Sequence, residues 1–201
     1  MMDKIEPLMI ELPAVLASAR LLLRAPRAGD CAALNEAVVE SFDLLQPWVP
    51  WAQKLPTLDE SELTCRQMAL RVAQRNDLPM FIFERAADGG CGRFIGGTGL
   101  HRFDWTVPRF EVGYWCRRGD QGRGLITEAV QTLVRFAFDA LHARRVEIRM
   151  SSANARSRAV AERCGFTLEG VLRSDSLSPD GQPRDTMVYS RVRGVEEPDA
   201  A

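Results

Sequence analysis

One stretch of the chain has the residue types of an anion site. Arg117-Arg118-Gly119-Asp120-Gln121-Gly122-Arg123-Gly124-Leu125-Ile126-Thr127-Glu128-Ala129 leaves a strand-like run, passes through a glycine-rich turn and enters a helix-like pattern. The first amides of a helix have no intrahelical acceptor and sit at the positive end of its dipole, so they form a ready site for a phosphate. Glycines let the backbone approach a bulky anion. Arg117, Arg118 and Arg123 add positive charge. A nucleotide triphosphate fits poorly, because a Walker loop needs Lys and then Ser or Thr after its last glycine, and here Leu125 follows Gly124. A dinucleotide fingerprint fails too. Thr127 stands where Gly122-x-Gly124 needs its third glycine, and Arg102 stands there after Gly97-x-Gly99, which disfavours an NAD(P) enzyme. A glycine-rich connection with no ligand is the plain alternative.

The elements around the turn must hold it. Ile126, Ala129, Val130, Leu133, Val134, Ala137 and Leu141 recur at helical spacing and predict a helix after it. Before it, Met80–Arg85, Phe94–Arg102 and Arg109–Cys116 read as an antiparallel meander. Arg20–Arg24 reads as a strand, and Asp30 is placed to cap a helix ending near Glu40. Thr57 and Glu60 have capping-box spacing for a helix ending near Gln74, while Pro47, Pro50 and Pro56 make 42–56 irregular. After the central helix come a strand at Arg145–Met150, a helix over 155–164 with Gly165 beyond its end, and strands at Phe166–Leu172 and Thr186–Val192. The order β-α-α-β-β-β-α-β-α-β-β predicts an α/β fold of mixed α+β character, a central mixed sheet with helices on both faces. Residues 20–193 form one expected domain. Residues 1–19 are an expected leader and 194–201 a tail.

Composition narrows the function classes. With 26 basic and 27 acidic residues the net charge is -1, which gives no support to nucleic-acid or membrane binding. Asp3, Glu6 and Glu11 interrupt any apolar signal segment, so the expected location is the cytoplasm. Cys31, Cys65, Cys91, Cys116 and Cys164 contain no CxxC pair, and His101 and His142 are the only histidines. Neither a disulfide framework nor a metal site is expected.

Gln121-Gly122-Arg123-Gly124-Leu125-Ile126 resembles the acyl-CoA motif Q/R-x-x-G-x-G/A of the GNAT N-acetyltransferase superfamily. Gly113-Tyr114-Trp115 through Ala129 is similar to its RimJ/RimL branch. Asn154-Ala155-Arg156-Ser157 followed by Glu162-Arg163-Cys164-Gly165-Phe166 resembles that branch's N-x-x-S…E-[KR]-x-G-F, and Trp48-Val49-Pro50-Trp51 is a third match. The resemblance spans about residues 20–192. It implies a GNAT fold and transfer of an acetyl group from acetyl-CoA to a primary amine, a protein or peptide N-terminal or small-molecule α-amine, by direct attack in a ternary complex. It implies no metal, and a monomer or a homodimer. Gln121 would open the CoA motif, and amides of Gly122, Arg123, Gly124, Leu125, Ile126 and Thr127 would hold the pyrophosphate. Backbone of Trp115, Cys116 and Arg117 would pair with the pantetheine arm where the strand splays from its neighbour. Asn154 would bind the pantetheine amide, Ser157 would stand by the sulfur, and Arg118 and Arg123 would meet the remaining phosphates. The sequence departs at Ile126, where Gly or Ala is usual, and at Ala161, where many GNAT enzymes carry an acidic Tyr.

Acyl transfer to an amine needs a neutral nucleophile, a donor for developing negative charge and a stabilised thiolate. Glu111 is the candidate base, acting through water, and an exposed strand carboxylate is its equal alternative. Asp175 and Asp185 are weaker candidates. Ser157 is the candidate donor to the sulfur, with support of a helix N-terminus as the competing role; Asn154 fits an N-cap as well. His101 reads as a packing or surface histidine. Cys116 has no marks of an activated thiolate beyond nearby arginines. Trp48 and Trp51 are either core or walls of the acceptor cleft. The rival from another class is a non-catalytic acyl-CoA-binding regulatory module.

Overall fold

Side-chain alternation along the central strands sorts residues onto two faces, and four helices cover them. The computed structural model describes residues 6–198; the first five residues of the expected leader and the last three of the expected tail lie outside the described residues. The strands are β1 (Leu16–Ala17), β2 (Leu21–Arg24), β3 (Leu78–Arg85), β4 (Cys91–Asp104), β5 (Arg109–Cys116), β6 (Arg145–Ser151), β7 (Thr167–Leu177) and β8 (Pro183–Val192). The helices are α1 (Cys31–Leu45), α2 (Leu58–Ala73), α3 (Leu125–Asp139) and α4 (Ala155–Arg163). One sheet holds all eight strands in the order β1-β2-β3-β4-β5-β6-β8-β7. Every pairing is antiparallel except β5 with β6. Leu16–Ala17 lies inside the stretch read as a leader and adds an edge strand to β2.

On one face Phe81, Phe83 and Phe94 pack against Leu34, Ala37 and Val38 of α1 and Cys65 of α2. On the other, Met80, Ile82, Leu100, Phe110, Val112, Val146 and Ile148 form a larger core with α3, joined by Ala161 of α4. All seven positions read as the apolar stripe of α3 and its exit, Ile126 to Leu141, are buried. The Ile126 side chain is part of this core.

Local chemistry explains the boundaries. The Thr57–Glu60 capping box is complete: Thr57 Oγ1 accepts from the Glu60 N–H at 3.2 Å and Glu60 Oε2 accepts from the Thr57 N–H at 2.8 Å. Asp30 does precede α1, but its side chain makes no capping bond. Its two oxygens take both Arg24 amino groups at 2.7 Å, a bidentate pair that outcompetes a cap. Helix α1 runs past Glu40 because Ser41 and Leu45 continue its buried stripe, and the residue before Pro47 is where helix becomes unfavourable. The β7–β8 hairpin is longer than expected, since its added residues are mostly exposed and show no apolar alternation. Among the described residues no helix is long and apolar enough to cross a membrane.

The pairing of β5 with β6 is short. Its ladder holds Arg109↔Arg145, Phe110↔Val146 and Glu111↔Glu147 and stops. Both strands continue, to Cys116 and Ser151, without pairing to each other. They diverge into a slot that begins at Glu111.

Candidate active site

The slot is bounded at one end by the glycine turn. Gly122 and Gly124 have φ of +76° and +74°, a left-handed backbone that side chains disfavour. Gly124 is the N-cap of α3, and the first intrahelical bond runs from the Glu128 N–H to its carbonyl. The amides of Leu125, Ile126 and Thr127 therefore have no intrahelical acceptor. Nothing stands within 4 Å of a Cβ built on Gly122, and only the end of Arg20 approaches one on Gly124, so the turn is open. This geometry fits a pyrophosphate. The arginines are engaged elsewhere. Arg117 pairs with Glu36 and Glu40, Arg118 with Asp43, and Arg123 with Glu84 and Asp120. Asp120 is buried between Arg123 at 2.7 Å and Arg93 at 2.9 Å. The local field for an anion thus comes from amides more than from free guanidinium groups. Gln121 accepts from Arg156 of α4 at 2.8 Å, which ties the turn to the far wall of the slot.

Along the slot, the Arg117 amide donates to Ile95 of β4 at 2.7 Å. By strand alternation the backbone of Cys116 faces the slot and that of Trp115 faces β4, so the three positions expected to pair with pantetheine are not equivalent. Burial pushes the Cys116 thiol up to about 12, with Asp120 adding to the rise. A thiol held that far above neutrality is no nucleophile. Asn154 caps α4, its Oδ1 accepting from the Ser157 N–H at 3.1 Å. Asn154 thus performs the capping alternative, which leaves Ser157 Oγ free for another partner. That partner is Tyr114: its Oη lies 2.9 Å from Ser157 Oγ and donates to the Ser157 carbonyl at 3.0 Å. Burial raises the Tyr114 phenol above its ordinary range, against a smaller lowering by Ser157.

Glu111 and Tyr114 point to opposite faces. Phe110 and Val112 are buried in the α3 core, so Glu111 between them projects to the α1–α2 face. Tyr114 packs on the α3 side and reaches α4. Glu111 Oε2 is buried and makes no hydrogen bond; Arg102 Nε is 3.3 Å away but outside hydrogen-bonding geometry. Burial raises the Glu111 carboxyl, opposed by Arg102 and reinforced by Glu147. A largely buried carboxylate with one oxygen left without a hydrogen bond and a raised affinity for protons has the properties of a base in a cleft.

Trp48 and Trp51 are 37% and 53% exposed, so neither is core. Trp51 meets Trp115 edge-on, ring centres 6.0 Å apart, and the Trp115 indole lies over Gly97, where a Cβ would come within 2.6 Å of Nε1. Trp48 lines two clefts. One, of about 180 Å³, lies against Leu177 and Arg184 of the β7–β8 hairpin. The other, of about 350 Å³, lies against Asn154 and Arg156. Asp175 pairs with Arg149 at 3.0 Å, and Asp185 accepts from the Ser174 amide at 2.9 Å, so both weaker base candidates already have structural partners. Sequence reasoning missed Tyr114. Strand alternation offers a signal for it, since Tyr114 falls on the face opposite Glu111, where α4 must pack.

Comparison with known proteins agrees with this arrangement. Residues 20–167 match the family model described as an acetyltransferase (GNAT) domain. The ribosomal-protein-serine acetyltransferase of Escherichia coli K12 is 27% identical over 159 residues, 79% of this chain and 85% of the relative. YdaF of Bacillus subtilis 168, named as a candidate ribosomal N-acetyltransferase, is 38% identical over 102 residues. That match spans 51% of this chain and 55% of YdaF. The solved structure of RimL, a ribosomal α-N-protein acetyltransferase in complex with coenzyme A, superposes with a TM-score of 0.80 at 24% identity, covering 89% of this chain and 97% of that one. An open glycine turn at a helix start, a slot between parallel strands and the match over residues 20–167 together place the chain in the GNAT family of acyl-CoA-dependent N-acetyltransferases.

Proposed function

We propose that this chain acetylates α-amines at protein or peptide N-termini, with acetyl-CoA as donor. The observation that carries the reading is the division of labour across the slot. Glu111 lies on the α1–α2 face, and the Ser157–Tyr114 hydroxyl pair lies on the α4 face. An amine entering beside Glu111 attacks the thioester carbon, the N–C bond forms, and the C–S bond breaks toward Ser157. Glu111 takes the amine proton through water while Ser157 donates a hydrogen bond to the departing sulfur. Amides of residues 122–127 hold the pyrophosphate, Asn154 Nδ2 faces the pantetheine amide, and Trp48 and Trp51 wall the acceptor cleft. A Glu111 carboxylate with its buried Oε2 left without a hydrogen bond supports a catalytic reading over a non-catalytic binding module.

The acceptor follows from proton chemistry. An α-amine with a pKa of about 7.7–8.0 is roughly one-tenth neutral at pH 7, whereas a lysine of about 10.4 is neutral in about one molecule in a few thousand. A single buried carboxylate suits the easier proton. The ribosomal-protein acetyltransferases among the relatives and structural neighbours point the same way. Following free thiol over a panel of N-terminal peptides, amino-acid derivatives, lysine analogues and polyamines tests it. We expect α-amines to give the highest kcat/KM and Trp51→Ala to raise KM for the acceptor more than for acetyl-CoA. Preference for ε-amines or polyamines, or unchanged acceptor kinetics in Trp51→Ala, counts against it.

A further inference from the structure

A base in a closed cleft must shed its proton before the next turnover, and Glu111 is poorly placed to do so alone: its side chain is 18% exposed. Directly across the β4–β5 ladder stands His101, paired with Glu111. Opposite residues on one face of an antiparallel pair have Cβ atoms about 4.5–5.5 Å apart, within reach of an imidazole and a carboxylate directly or through one water. The His101 side chain is 36% exposed and so reaches solvent.

Its ring is held in a defined way. Asp77, between α2 and β3, lies 2.5 Å from Nδ1. A carboxylate there keeps the proton on Nδ1 and leaves the lone pair on Nε2. No described residue hydrogen-bonds Nε2. The ring lies over two glycines: a Cβ on Gly99 would stand 3.0 Å from Cε1 and Nε2, and one on Gly113 would stand 3.0 Å from Nε2. A histidine kept for packing needs neither the carboxylate on one nitrogen nor a bed cleared for the other.

We propose that the Asp77–His101 pair is the exit for the acceptor's proton, relaying it from Glu111 to solvent. This rests on Glu111 as base. The O–H bond on the Glu111 carboxyl breaks and leaves its electron pair on the carboxylate. A new N–H bond forms at His101 Nε2, directly or through one water, and the imidazolium then gives its proton to bulk water. Asp77 fixes the ring through its contact with Nδ1, so it is a positioning residue. The charged groups facing this path are Arg71 on Asp77, Arg102 beside Glu111, and Glu147 and Arg149 of β6.

The test compares His101→Gln, His101→Ala, Asp77→Asn and Glu111→Gln in the full chain, with and without added imidazole. His101→Gln keeps bulk and a hydrogen bond to Asp77 but cannot relay. Its kcat should fall about 100-fold, within the range of general acid–base contributions, with KM for acetyl-CoA unchanged. Asp77→Asn should show a smaller loss. His101→Ala should regain turnover with imidazole in a saturable way, a response that a purely structural role would not produce. Full kcat in His101→Gln, or a His101→Ala loss that imidazole does not relieve, overturns the relay. Glu111→Gln should be inactive with or without imidazole. A dead Glu111→Gln beside a fully active His101→Gln sinks the relay alone; a fully active Glu111→Gln sinks the base assignment beneath it.

Discussion

A phenol has one proton to donate, and Tyr114 has two acceptors in range: the Ser157 carbonyl at 3.0 Å and Ser157 Oγ at 2.9 Å. While it donates to the carbonyl, the serine proton turns toward Tyr114. In the proposed mechanism, as charge builds on the sulfur, Ser157 would swing its proton to the thiolate and Tyr114 would shift its own to Oγ. A free thiol titrates near 8.5 and a phenol near 10, and burial raises Tyr114 further. Neither hydroxyl surrenders its proton outright, so the pair stabilises the thiolate by hydrogen bonding. Ser157→Ala should cost about 10²-fold in kcat, the scale of one preorganised donor, with KM for acetyl-CoA nearly intact. Tyr114→Phe should cost roughly tenfold alone and almost nothing in the Ser157→Ala background, because residues acting as a unit are non-additive. Steady-state kinetics on the four enzymes decides it; additive losses would show that Tyr114 acts elsewhere.

Glu111 yields a prediction with two signs. Its carboxyl is raised by burial, and the base must be ionised to work. The acid limb of kcat/KM should therefore lie above the ordinary glutamate range of about 4.3, with activity lost as pH falls through it. Stability runs the other way. A folded pKa above the unfolded one means that the native state holds this proton more tightly. Its contribution is fully present below the unfolded pKa and lost as pH rises through the folded one. Glu111→Gln should consequently be inactive yet melt higher than the parent at pH 8, by about 2–4 °C if the relief is about 1 kcal/mol. A lower Tm at pH 8 would mean that Arg102 stabilises the ionised form more than burial disfavours it. Asn154 as the N-cap of α4 was legible from its local pattern. Tyr114 on Ser157 and Asp77 on His101 are pairings across 43 and 24 residues, and linear spacing carries no trace of either.

Elements decide whether these residues meet. The two left-handed glycines fix the entry to α3, and Cβ atoms would fit in the open space there. The cost of Gly124→Ala is thus conformational, about 1–2 kcal/mol. It should lower Tm while leaving acetyl-CoA affinity near that of the parent. Gly124→Glu should fold comparably but lose acetyl-CoA binding, because its carboxylate enters the space meant for the pyrophosphate. Calorimetry on both separates the roles; unchanged affinity in Gly124→Glu would move the pyrophosphate elsewhere. The α3 stripe was readable because one wide apolar face repeats with helical period. The extra turn of α1 and the long β7–β8 hairpin were not, since Ser41 is a buried polar residue and the hairpin's exposed residues are held by backbone pairing. The acidic residues that occupy the turn's arginines were invisible for the same reason: Glu36, Glu40 and Asp43 belong to α1, some 75 to 81 positions away.

At the scale of the whole molecule, the proposed acceptor cleft joins segments distant in sequence. Arg184 of β8 donates to the Pro47 carbonyl at 3.1 Å, across 137 residues, and Trp48 stands between that hairpin and the start of α4. The prolines of 42–56 announced an irregular segment, but nothing in them named the hairpin it faces. The overall architecture was legible because strand and helix periods alternate in an order that admits few topologies.

The short seam between β5 and β6 has a mechanical meaning. Among the described residues the β5–β6 ladder holds three residue pairs, with the Arg144 amide donating to the Pro108 carbonyl at their end, and beyond them the two strands do not pair with each other. Acetyl-CoA in the proposed position would act as a surrogate strand, closing an interrupted sheet. Whatever free energy it gains by binding the native state is added to the cohesion of that state. Added acetyl-CoA should therefore raise the melting temperature as occupancy rises, and a Tm that does not move with the ligand would count against the slot as its site.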